Sequence, residues 1–201
     1  MGLDMYIYRA SRVSEDDLKV MNKLPHGDIS DKFPRALIIT KEDYKENPTL
    51  YAEILPYMSS IQVENSYVDL MKLKKAYNIP EDAYISGRSY DGEKVGYHFT
   101  TPKTKKSQRV ELTYEEVEEK FTFTQMDDAY IVYIDEVYYW RKAYNIQDEF
   151  YAKHPVENCG YYKLSYEEMA TIANNFDAGL YGVVEDFVDD EDTAYFYHEW
   201  Y

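Results

Sequence analysis

Residues 129–159, AYIVYIDEVYYWRKAYNIQDEFYAKHPVENC, change hydrophobic period once, and that change decides how the chain reads. The stretch opens with an unbroken apolar and aromatic run, Ala129 to Ile134, bounded by Asp127-Asp128 and Asp135-Glu136. A run of that length between charged ends has the pattern of a strand buried on both faces. Tyr139, Ala143, Ile146 and Phe150 then fall at i, i+4, i+7 and i+11, one stripe of a helix. Trp140, Tyr144 and Tyr151 lie along its edge, and Arg141, Lys142, Asp148 and Glu149 on the other side. The expectation is a buried strand feeding an amphipathic helix over 138–152, the nucleus of the core.

Towards the N-terminus, Leu3, Met5 and Ile7 alternate with Asp4, Tyr6 and Tyr8, which predicts a strand over 2–8. Ser14 before Glu15-Asp16-Asp17 starts a helix over 14–24. Residues 25–35 read as a loop, 36–40 as a short buried strand, 40–45 as one helical turn and 48–55 as a short helix with Pro48 in its first turn. A helix over 67–77 ends at Asn78 and Pro80. Residues 81–109 are the least core-like: Asp91-Gly92 before Val95, Tyr97 and Phe99 marks a hairpin with a strand over 95–100. The basic run Thr101 to Arg109 reads as an exposed loop.

Thr113-Tyr-Glu-Glu116 and Ser165-Tyr-Glu-Glu168 are capping boxes that open helices over 113–121 and 165–177. The closing TAYFYHEWY reads as an aromatic helix packed on the core. The sum is an α+β fold in one domain, 1–201, with a central mixed or antiparallel sheet (strands near 2–8, 36–40, 95–100 and 129–135) packed by amphipathic helices. Residues 81–109 are expected as an exposed hairpin or loop insertion.

Composition narrows the function classes. The chain has 201 residues, 45% hydrophobic and 17% aromatic, enough for a substantial core. No apolar run approaches the roughly 20 residues of a membrane span. The N-terminus lacks the basic start and the length of a signal peptide. A single cysteine, Cys159, makes no internal disulfide and fits a reducing, cytoplasmic setting. The formal charge is -16, which repels nucleic acid and anionic membranes and attracts basic surfaces. Twenty-four tyrosines add side chains with an apolar body and a polar tip, favoured at interfaces.

Catalytic and cofactor motifs are missing from the sequence. It has no phosphate loop, dinucleotide glycine fingerprint, HExxH or nucleophile elbow, and no cofactor is expected. The four histidines lack ligand spacing, and His154 with Cys159 is half a zinc site at most. Asp4, Asp128, Asp135 and Glu136 sit at strand ends, where a two-metal hydrolase gathers carboxylates; flanking charges for solubility have the same pattern. Glu185 to Asp192, EDFVDDED, holds six acids in eight residues. It lacks the turn glycine of an EF-hand loop, which leaves a solvated loop or a strip that docks on a partner.

Certain segments resemble a known group. Met1-Gly-Leu-Asp-Met-Tyr6, Glu136-Val-x-Tyr-Trp-Arg-Lys-Ala143 with Ile146 and Phe150, and Asn158-Cys-Gly-x-Tyr162 are similar to small bacteriophage and prophage proteins of no assigned activity. Those proteins begin MGLDMY and carry a YWRKAxxIHxWF-type helix. Gln147 stands where the group often has histidine, Tyr151 departs as well, and 14–128 reads as an insertion peculiar to this member. The resemblance implies a mobile element acting inside a bacterium.

Together these observations lead to a non-catalytic acidic protein that docks carboxylates and tyrosines on the basic, nucleic-acid-binding surface of a host enzyme, as an anti-CRISPR-like inhibitor would. The candidate residues are Glu185, Asp186, Asp189, Asp190, Glu191 and Asp192, then Glu115, Glu116, Glu118 and Glu119. The alternatives are a phage structural or regulatory protein without a host target, and a metal-dependent hydrolase using Asp4, Asp135 and Glu136. A homodimer through the aromatic stripe and the C-terminus is compatible with each.

Overall fold

The structure, a computed structural model, describes residues 3–154 and 157–200. Gly2, expected in the first strand, and Tyr201, expected in the closing helix, lie outside the described residues. The fold is α+β, and the chain divides into two compact units, residues 1–63 with 127–201 and residues 64–126.

The first unit begins with β1 (Asp4–Ser11), which alternates as expected: Leu3, Met5 and Ile7 are buried. Ser14 caps α1 (Glu15–Met21) by accepting from the Asp17 amide at 3.2 Å. The expected loop 25–35 instead contains α2 (His26–Lys32). A single fully buried residue, Ile29, anchors it, too few apolar positions for a visible helical stripe. There follow β2 (Ala36–Thr40), α3 (Lys41–Glu46) with Thr40 as its cap, and α4 (Pro48–Tyr51). Within β3 (Ser59–Val68) the chain passes into the second unit.

There, Asp69 accepts from the Lys72 amide at 2.8 Å and starts α5 (Leu70–Ala76), so Tyr67 and Val68 stay in the strand before it. β4 (Tyr84–Asp91), β5 (Lys94–Thr100) and β6 (Ser107–Thr113) form an antiparallel sheet, with Gly92 at φ +53° in the hairpin between the first two. α6 (Tyr114–Phe121) opens on the Thr113–Glu116 capping box. The strand at 95–100 therefore belongs to this second sheet and not to the central one. Residues 81–109 also carry core: Val95, Tyr97 and Phe99 face Leu73, Val117 and Phe121. Apolar residues are sparse in the sequence there because the sheet's other face carries Gly96, His98 and Ser89.

The chain returns within β7 (Thr122–Arg141), 20 residues long, and continues as α7 (Tyr144–Tyr151), β8 (Tyr161–Leu164), α8 (Tyr166–Asn175), α9 (Tyr181–Glu185) and β9 (Thr193–Trp200). Two expectations are corrected here. The helix placed over 138–152 starts at Tyr144, because Tyr138 to Arg141 pair with Ile7 to Asp4 of β1. Val137, Tyr138, Tyr139 and Trp140 are β-branched or aromatic and suit a strand; the spacing of Tyr139 and Ala143 is incidental. Lys142, at φ +58°, ends the strand, and the true helical stripe is Ile146 with Phe150. The closing segment is likewise a strand and not a helix. β9 lies between β1 and β8 with Ala194 to Tyr197 all buried, so no alternation shows in its sequence.

The main sheet runs β2-β7-β1-β9-β8, with β3 also paired to β7. One face packs on α7, α8 and α9 through Met5, Ile7, Trp140 and Tyr197, and on α1 and α2 through Ile131 and Ile61. The opposite face is covered by residues 41–58 over only part of its area, at Val132, Ala194 and Phe196.

Candidate functional site

All six acids of the 185–192 run are exposed, and the loop carrying them is fixed from several directions. The Arg12 amide donates to the Asp192 carbonyl at 2.8 Å, and its guanidinium reaches the Asp192 carboxylate at 2.9 Å and the carbonyls of Pro56 and Glu191. The Asp190 carboxylate accepts from the amides of Asp192 and Thr193 at 2.9 and 2.7 Å. Lys163 pairs with Asp189 at 2.8 Å, a hydrogen bond that raises the lysine pKa. The carboxylates of Glu185, Asp186 and Glu191 have no partner among the described residues. Exposed pairs of this kind contribute about 0–1 kcal/mol and leave their field available to a partner. Apolar contact area adjoins the acids. Phe187 packs on Tyr166 and Tyr195, and Tyr166, Tyr181 and Val188 are exposed.

The second group of acids, on α6, belongs to the other unit. Glu116 closes the capping box and pairs with Lys120; the Thr113 amide, first, and that lysine hold its carboxyl below the usual range. Glu115, Glu118 and Glu119 are exposed.

The face of the main sheet opposite α7, α8 and α9 brings together residues that the sequence scatters, covered by Tyr51 at the Tyr161 end and open at the Tyr139 end. Tyr6 is opposite Tyr139 on one side and His198 on the other, and His198 is opposite Tyr161, so four aromatic side chains form one row across β7, β1, β9 and β8. Neighbouring centroids are 5.2, 6.2 and 4.5 Å apart. Tyr8 stacks on Tyr6 at 5.4 Å with an interplanar angle of 9°. Asp4 accepts from the Tyr139 hydroxyl at 2.7 Å, and Glu136 is paired with Tyr8 in the register. Burial, then neighbouring Tyr6 and Glu136, push Tyr8 up to about 12. Burial pushes Tyr161 higher and lowers His198, whose Nδ1 donates to the Gly160 carbonyl at 3.1 Å.

The carboxylates Asp4, Asp135 and Glu136 do not converge. Asp135 turns to the other face, where Arg9 and Arg35 hold it, while Asp4 and Glu136 flank the tyrosines. Asp128 pairs with Lys41 and Gln62. Among the described residues no group of three or more His, Cys, Asp or Glu is placed to hold a metal ion.

Two carboxylates, one fully buried and one half-buried, are held by neutral donors. Glu199 is fully buried and accepts from the hydroxyls of Tyr151 and Tyr197, each at 2.7 Å, and from the Gln147 amide at 3.1 Å. Gln147 thus touches a buried carboxylate. Asp177 accepts from the Trp140 indole at 2.8 Å, the Gly179 amide at 2.9 Å and the Tyr138 hydroxyl at 3.0 Å. Cys159 is half-buried at φ +66°, with its amide donating to the Glu199 carbonyl.

The sequence led to the acid strip but not to the aromatic row or Glu199. The alternation of Asp4, Tyr6 and Tyr8 gave one strand of that row, and the helical reading of the C-terminus concealed His198. Compared with family models, curated proteins and solved structures, the chain matches none. No helix among the described residues is long and apolar enough to cross a membrane.

Proposed function

We propose that this protein is a non-catalytic acidic docking protein of phage or mobile-element type. It acts in the bacterial cytoplasm by occupying the basic nucleic-acid-binding surface of a host enzyme, in the manner of an anti-CRISPR inhibitor. One observation carries the reading: the 185–192 acids are all exposed, yet Arg12, Asp190 and Lys163 fix the loop that bears them. A strip ordered before binding forfeits little conformational entropy on binding, and its clustered carboxylates would stand in for phosphates in an Arg/Lys channel. Exposed Tyr166 and Tyr181 supply flat apolar anchors beside it.

The test is a pull-down from nuclease-treated bacterial lysate with low- and high-salt washes, followed by competition. A nucleic-acid-binding protein retained at low salt, thinned at about 0.5 M salt and displaced by its own nucleic acid is the expected result. Glu185→Gln, Asp186→Asn and Glu191→Gln together should weaken that binding at least about tenfold. Binding insensitive to salt, to competitor and to these substitutions overturns the reading.

A further inference from the structure

The uncovered tyrosine face of the main sheet presents a chemistry that the acid strip does not share. Tyr139 is 43% exposed, Tyr6 lies tilted beside it at 5.2 Å with half-buried Tyr8 stacked on its far side, and Trp200, 60% exposed, borders Asp4 across the β1–β9 register. Carboxylates stand at both ends of this array, Asp4 at one and Glu136 at the other. Asp4 is tied to the Tyr139 hydroxyl through one oxygen, which Arg141 approaches only to 3.9 Å; its second oxygen has no partner among the described residues. Flat π-faces framed by carboxylates suit a planar cation that stacks and donates in its own plane.

The chain makes the same pairing with its own arginines. The Arg35 guanidinium lies 5.1 Å over the Tyr133 ring and that of Arg88 5.6 Å over Tyr97. Among the described residues none of its own cations sits over Tyr6, Tyr8 or Tyr139.

We infer that this face is an arginine-binding site, which receives guanidinium groups of a basic partner on the Tyr6–Tyr8–Tyr139 array between Asp4 and Glu136. It deepens the docking reading, since the partner is basic in both, but it uses a different surface. Arg12, which fixes the acid strip, follows the Ser11 end of β1, and Asp4 and Tyr6 lie at the opposite end. The formal charge of -16 selects a cationic occupant over nucleic-acid bases, which carry phosphate with them.

The test uses the full chain with two synthetic probes, an Arg-Gly repeat peptide and its Lys-Gly counterpart of equal length and charge, titrated by calorimetry at low salt. The Arg peptide should bind at least about fivefold tighter than the Lys peptide, because only the guanidinium stacks and donates as a fork. Tyr139→Leu should remove most of that preference. Glu136→Gln, on an exposed side chain whose change does not endanger folding, should weaken the Arg peptide about threefold. Glu185→Gln with Glu191→Gln should weaken both peptides alike and leave their ratio unchanged, which separates the two surfaces. Equal affinity for the two peptides, or a preference untouched by Tyr139→Leu and Glu136→Gln, overturns the site. A dimer in sedimentation that Tyr139→Leu dissociates also overturns it, because the occupant is then a second copy of the chain.

Discussion

Tyr197 donates its hydroxyl to Oε2 of Glu199 at 2.7 Å, two residues along the same strand, and both side chains are buried. An ionised carboxylate in such a place is tolerable only when its oxygens are hydrogen-bonded, and Tyr151 and Gln147 complete the set. Tyr197→Phe removes one donor while keeping the ring that stacks on Phe150 at 3.9 Å. The expected loss is about 2 kcal/mol in urea unfolding at unchanged m value. Tyr151→Phe should cost at least as much, because Oε1 of the fully buried Glu199 then loses its Tyr151 donor, whereas Oε2 keeps Gln147 when Tyr197 is changed.

The buried tyrosines set an alkaline limit on stability. Burial first, and the hydrogen bond to Glu199 second, push Tyr197 up, while burial and Asp17 push Tyr133 up to about 12; burial drives Tyr8 to about 12 as well. Each ionises in the unfolded chain near 10, so between about pH 10 and 12 the unfolded state has lost protons that the folded state keeps. The stability these tyrosines contribute is therefore full below pH 10 and is lost as pH rises through the folded values. Ultraviolet absorbance should show Tyr161 and Tyr197 ionising only with unfolding. A single smooth titration of all tyrosines near pH 10 would refute this.

What the sequence disclosed follows from which signals are local. The capping boxes at Thr113 and Ser165 and the cap at Ser14 lie where the helices start, because a cap is a contact between residues three apart. Strand pairing is not local. Nothing in Tyr138 to Arg141 reveals that Asp4 to Ile7 will lie against them, and without that partner an aromatic stripe reads as a helix. β9 failed for the same reason. The aromatic row was illegible for a stronger one: its four members come from four strands, and only the register places Tyr139, Tyr6, His198 and Tyr161 side by side.

Asp177 links a loop to the core through Trp140. Burial opposes its ionisation, but the indole, the Gly179 amide and the Tyr138 hydroxyl together outweigh that and lower its pKa from 3.8. A depressed carboxylate contributes stability that is present above the unfolded value and lost as pH falls through the folded one. In a Trp200→Phe background, Trp140 fluorescence should change with a midpoint below pH 3.8. Asp177→Ala strands a buried indole N–H and should cost about 1–3 kcal/mol.

His198 gives the opposite limb of the profile near neutrality. Its ring is enclosed by Tyr6, Tyr8 and Tyr161, and burial lowers its pKa from 6.5 against the pull of the Gly160 carbonyl and of Glu199. Below pH 6.5 the unfolded chain takes up a proton that the folded ring refuses, so stability falls as pH falls, by up to about 1.4 kcal/mol per pH unit. His198→Phe keeps an aromatic ring in the row and removes the titration. Its loss of stability between about pH 7.5 and 5.5 should be smaller than the wild type's by this amount or less. The comparison is of slopes, so any constant cost of leaving the Gly160 carbonyl without its donor drops out. Parallel pH profiles for the two proteins would show that His198 is protonated as readily in the fold as in the unfolded chain, and that the aromatic row does not seal it from water.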